Sequence, residues 1–176
     1  NGGARHRLEF AHVARPGAGH AGAWATANCV AAVLQCIGLS RRGSATGGAS
    51  DPRKDNIGYR TGELVMDVLS RGVKPRDILT REAFENGIIC AASTGGSTNV
   101  VLHLMAIAHE AGVALNIDDF DVISERTPLI GDLRPGGRFV ALDMDRAGGT
   151  PLLAKRLPDA GNLHGNVMTR TGNAIA

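Results

Sequence analysis

Aromatic side chains make up only 3% of the 176 residues. The core must therefore be assembled chiefly from Ala, Val, Leu and Ile. Cysteine is also scarce. Three residues, Cys29, Cys36 and Cys90, do not make the disulfide framework of a small secreted domain, so a reducing compartment is expected. Cys29 and Cys36, seven apart, fall on one helix face and read as buried thiols. No run of about 18 apolar residues occurs, which removes a membrane-spanning helix. Charge of neither sign dominates: the formal net charge is +2, which argues against nucleic acid or an anionic membrane as partner. The six histidines (His6, His12, His20, His103, His109 and His164) show no metal-pair spacing such as H-x-x-x-H. There is no initiator Met and no signal-peptide pattern, so the chain is expected to be processed or to be a piece of something longer.

Glycine is what the sequence has in excess, with 24 residues gathered in short groups rather than at a fixed period. That pattern predicts tight turns and close backbone approaches. Residues 1–11 read as a polar arm and residues 12–176 as one domain. Apolar residues at helical spacing predict helices over 21–37, 57–70 and 81–92, the second burying Leu64, Val65, Val68 and Leu69. A fourth helix carries Val100, Val101, Leu104, Ile107, Ala108 and Ala111, with Gly112 at its end. Asp118 and Asp119 mark another helix start rather than a catalytic pair. "KPRDILT" reads as an extended link, while "VALNI" and "PLIGDL" read as short strands, the latter buried. Two short helical units follow the "RPGG" turn. Helices alternating with short apolar runs predict an α/β fold, with helices packed on a short parallel or mixed sheet.

Two stretches stand out as candidate sites. "TGGSTN", Thr94 to Asn99, sets two glycines before a helix. Free N–H groups and the helix dipole at such a start favour a carboxylate or phosphate, which makes Gly95, Gly96, Ser97, Thr98 and Asn99 candidate anion- or substrate-binding residues. The alternative is an ordinary helix cap, with Ser97 or Thr98 as capping residue. "GAGHAGAWATAN", Gly17 to Asn28, fits the G-x-G-x-x-G spacing through Gly17, Gly19 and Gly22, but it lacks a convincing strand–turn–helix setting and the Lys of a phosphate loop. His103 is expected among apolar neighbours on its helix, and His109 in solvent.

The order of the pieces carries more than either alone. "RPGAGHAGAWATAN", "GVKPRDILTREAFENGI", "GGSTNVVLHLMAIAHEAGVALNIDDFDVISERTPLIGDLRPGGRFV", "RAGGTPLLAKRL" and "GNLHGNVMTRTG" together resemble the dihydroxy-acid dehydratase and phosphogluconate dehydratase family, most closely its dihydroxy-acid branch. The resemblance implies the second half of an N-terminal α/β domain. It also implies a chemistry in which water leaves a 2,3-dihydroxy acid to give a 2-keto acid, with an iron–sulfur cluster and Mg²⁺ as cofactors.

Against that pattern this chain departs at its Gly-rich loop. The family motif resembles G-A-C-G-G-M-Y-T-A-N. Alignment on Thr26, Ala27 and Asn28 places Ala21 at the cluster cysteine, Ala23 at a Gly and Trp24 at the Met. A methyl group cannot bind iron, so the loop Gly19, His20, Ala21 and Gly22 reads as a degenerate cluster loop, with Cys29 a poor substitute and His20 an improbable one. The Cys-Asp-Lys motif and the C-terminal domain that the resemblance implies have no counterpart here. Trp24 is expected to fill vacated cofactor space. The expectation is a catalytically inactive unit with no cofactor, no catalytic or metal residues, and other protein chains covering its exposed faces. The alternatives are a part of an active hydro-lyase and a small-acid binding module using residues 94–99.

Overall fold

The computed structural model describes residues 22–159 and 163–169. Among the described residues eight helices follow one another: α1 (Thr26–Ile37), α2 (Arg53–Ser70), α3 (Pro75–Ile78), α4 (Arg81–Ser93), α5 (Asn99–Ala111), α6 (Ile117–Arg126), α7 (Ala141–Arg146) and α8 (Gly149–Asp159). The sequence places clear stops and starts at their ends. Gly38 closes α1 and Gly112 closes α5, both in the left-handed conformation at φ 101° and 75°, where a Cβ would be strained. Thr80 caps α4 by accepting the Ala83 N–H at 3.2 Å. Asp119 reaches back to the Asn116 N–H at 2.7 Å and completes a capping box on α6.

The core sits where α1 lies along α4. Ala32, Val33 and Ile37 meet Phe84, Ile88 and Ile89, and α5, α6 and α8 close around them through Leu104, Ile123 and Leu157. Gly87 lets the two helices approach, since an added Cβ there would stand 3.0 Å from the Ile37 side chain. One buried polar hub stitches the outer layer to this centre. Gln35 accepts the Gly43 N–H at 3.0 Å and the Thr150 hydroxyl, and donates to Ser44 at 3.2 Å. The pairing of both the oxygen and the nitrogen of that amide is what permits its burial.

The expected α/β architecture is overturned: the described residues form a helical domain without strand or sheet, with no more than isolated bridges such as that between Leu133 and Phe139. The reason is visible in where the backbone donors go. In "PLIGDL" the Ile130 and Gly131 N–H groups both turn to one acceptor, the Ser93 carbonyl at the end of α4, at 2.7 and 2.8 Å. No ladder forms, and Leu129 and Ile130 are exposed rather than buried. In "VALNI" the Val113 N–H returns to Ala108 and Asn116 already caps α6, leaving too few residues for a strand. Short apolar runs do not separate strand from helix-linking loop by periodicity. Three further expectations fail. "KPRDILT" contains the short helix α3, and α2 buries none of its residues: Val65 is 58% and Leu69 69% exposed. His103 is exposed rather than set among apolar neighbours, while His109 is exposed as expected. The three cysteines are free and buried.

Candidate functional site

The two candidate stretches, about 70 residues apart in sequence, meet in the fold. Trp24 stands just ahead of α1 and is wholly buried. Its backbone N–H is held by the Arg134 carbonyl at 2.9 Å, and its indole N–H donates to the Thr94 hydroxyl at 3.1 Å. That hydroxyl in turn donates back to the Cys90 carbonyl at 2.9 Å. A buried indole needs a partner for its N–H, and Thr94, the first residue of "TGGSTN", supplies it. Two residues on, Thr26 opens α1 and touches the same turn. It accepts from Asn99 Nδ2 at 2.7 Å and lies 3.4 Å from the Ser97 hydroxyl. Asn28 secures the approach by donating to the Ala23 carbonyl at 2.9 Å.

The turn itself is compact. Gly95 adopts φ +58°, and the Gly95 and Gly96 N–H groups fold back on Ala92 and Ala91 at 3.2 and 2.8 Å. Of the two proposed caps, Ser97 provides the side chain, accepting the Asn99 N–H at 3.3 Å; Thr98 makes no such bond. Gly95, Thr98 and Asn99 are exposed and Gly96 and Ser97 half-buried. In the loop ahead of Trp24, Gly19, His20 and Ala21 lie outside the described residues, as does the 1–11 arm. Gly22 is described, and its carbonyl accepts the Ala141 N–H at 3.0 Å, tying the loop's end to α7.

An iron–sulfur cluster needs thiolates, and the donor set among the described residues does not fit one. Burial pushes the Cys29 thiol up, against the opposing effect of a hydrogen bond from the Ser97 backbone. The Cys36 partner and burial push the Cys90 thiol well above its ordinary range. Both favour the neutral thiol, and both sulfurs lie within packed helix faces. Among the described residues, no three His, Cys, Asp or Glu side chains converge to hold an ion. Asp132, the nearby carboxylate on the loop after α6, is engaged by Arg138.

Three contacts escaped the sequence reading: Trp24 to Thr94, Thr26 to Asn99, and Cys29 against Gly96. Spacing alone carries no signal for pairs this far apart. The only hint was that both stretches end in a helix start, and helix starts in a bundle can share one end of it.

Residues 3–176 match the family described as dihydroxy-acid/6-phosphogluconate dehydratase, N-terminal. The dihydroxy-acid dehydratase of Roseiflexus castenholzii is 56% identical over 168 residues, which cover 96% of this chain and 30% of that protein. The Leifsonia xyli enzyme of the same name is 52% identical over 161 residues (92% and 28%), and that of Sulfurisphaera tokodaii 49% over 160 (91% and 29%). The chain therefore belongs to the dihydroxy-acid and 6-phosphogluconate dehydratase family, and its relatives by name are dihydroxy-acid dehydratases. It spans about 30% of the length of these relatives.

Proposed function

We propose that this chain is a non-catalytic member of its family, a helical scaffold in which the cluster loop no longer supplies a thiolate and which serves as a structural or interaction unit within a larger assembly. The observation that carries this reading is Trp24. Its ring is wholly buried against the "TGGSTN" turn and fixed there by the bond to Thr94, at a place where the resemblance puts a slimmer side chain beside the cluster. Ala21 supports it, since a methyl cannot replace a thiolate. The exposed apolar side of α2, with Tyr59, Val65, Met66 and Leu69 uncovered, supports a further polypeptide packing on this unit.

A second reading is that the chain is part of an active hydro-lyase converting 2,3-dihydroxy acids to 2-keto acids in branched-chain amino-acid synthesis, with an iron–sulfur cluster and Mg²⁺ held by residues elsewhere. The 56% identity to a dihydroxy-acid dehydratase favours it.

Denaturing mass spectrometry of natively purified material, combined with iron and acid-labile sulfide per chain and turnover of a 2,3-dihydroxy acid, separates the two. The scaffold reading expects neither iron nor turnover. Stoichiometric iron with dehydratase activity overturns it.

A further inference from the structure

Between α2 and the end of α1 runs an open groove of about 260 Å³. Leu39, Leu64, Val65, Val68, Val73 and Ile78 make it apolar. Along α2 it extends from Thr61 to Val68, about two turns of helix or about 10 Å. The Thr61 and Ser44 hydroxyls at its edge are spent within the fold, on the Ile57 and Arg41 carbonyls, each at 2.7 Å. The charge of the groove is of one sign. Arg41 and Lys74 both line it, and among the described residues no Asp or Glu does. Asp77, on α3, turns to the Lys74 backbone N–H at 2.7 Å. Arg41 is half-buried, and its guanidinium makes no hydrogen bond or ion pair with any described residue. Arg53, Arg60, Arg71 and Arg81, by contrast, each hold a carboxylate. A partly desolvated cation beside an apolar wall calls for an anion whose other end is hydrocarbon.

We propose that this groove is a binding site for a medium-chain alkyl carboxylate, its chain lying along α2 and its head group on the Arg41 guanidinium, with Lys74 as a second cation at the rim. Charge selects the anion. Size selects a single chain: about 260 Å³ falls below what a drug-sized ligand fills, and a helix about 10 Å across does not enter it. The bound chain would supply α2 with burial that the helix lacks, since α2 buries none of its own residues. The proposal goes beyond the scaffold reading and does not rest on it. Tyr59, Met66 and Leu69, on the open side of α2, do not line the groove and remain available to a polypeptide.

The experiment titrates butyrate, hexanoate, octanoate and uncharged octanol into the full chain, below the micelle threshold, and follows the Leu64, Val65 and Val68 methyl groups by NMR. Octanoate is expected to shift them saturably, and each added CH₂ in the series to tighten binding about fourfold. Arg41→Met keeps an apolar stem and removes the charge. It is expected to weaken octanoate about tenfold, as loss of a charged hydrogen bond implies, and to leave octanol unchanged. Val68→Glu sets a carboxylate in the wall and is expected to abolish the octanoate shift. No saturable shift in wild type overturns the proposal, and so does an affinity indifferent to chain length or to Arg41→Met. Sedimentation of the same wild-type samples reads a competing occupant: a dimer of the chain whose groove methyls octanoate does not shift also overturns it. Should Arg41→Met fail to fold, wild type decides alone, because octanoate must bind more tightly than octanol; equal binding overturns the proposal.

Discussion

Helices α1 and α2 stand side by side in sequence and differ in almost everything that holds a helix. The 12 residues of α1 bury Cys29, Ala32, Val33, Gln35, Cys36 and Ile37, while the 18 residues of α2 bury none. Both carry apolar side chains at helical spacing. What separates them is supply. Across from α1 stands α4, whose Gly87 allows close approach. Among the described residues, the apolar side of α2 faces a groove of about 260 Å³ between the helix, Leu39 and Ile78. An amphipathic pattern specifies a face to be covered, not the element that covers it.

Substitutions can break or sharpen this contrast. Trp24→Ala removes the largest fully buried side chain at the head of α1 and is expected to destabilise by about 3–5 kcal/mol, measured by urea unfolding. A loss no larger than that of a surface substitution would place the indole outside the cooperative core. Gly96→Ala drives a methyl into the Cys29 sulfur and the Ala91 carbonyl and should cost about 1–3 kcal/mol. Its double mutant with Cys29→Ala should recover part of that loss, because the sulfur is the nearer of the two obstacles.

Acid should act through the ion pair that joins α4 to α6. The Arg81 guanidinium, with the Asn116 N–H, holds the Asp119 carboxyl down at about 2. A carboxylate whose folded value lies below its unfolded value of about 3.9 stabilises the fold fully above that unfolded value. The contribution is lost as pH falls through the folded value near 2. For a pair this accessible the effect should be about 1 kcal/mol or less. In Asp119→Asn that part of the acid dependence should vanish; an unchanged pH profile would remove the pair from the account. Smallest of all, Leu69→Gln on the open side of α2 should change stability by less than about 0.5 kcal/mol. A larger loss would mean that α2 is covered in the isolated chain.

The longer helices were legible, because Gly112 and the Asp118–Asp119 start are local signals and act locally, while the four-residue α3 in "KPRDILT" was missed. The sheet was misread for the opposite reason: Ile130 and Gly131 satisfy their donors on Ser93, a residue more than 30 positions away, and nothing in "PLIGDL" announces it. The depth of α2 failed likewise, since burial depends on a neighbour. Of the candidate site, the turn at residues 95–99 was readable from its glycines. The closure of that turn from both sides was not, because Trp24 and Cys29 reach it only through the way α1 lies along α4.

The single Trp and the single Tyr of the chain fall on opposite sides of the contrast drawn above. Trp24 is sealed in the core beside Thr94, and Tyr59 is exposed on α2. The protein thus carries two native optical labels, with no dye to attach. Indole emission colour reports whether the turn stays dry, and phenol quenching reports whether anything has settled on α2. A partner that covers the helix without disturbing the turn would silence one signal and leave the other untouched.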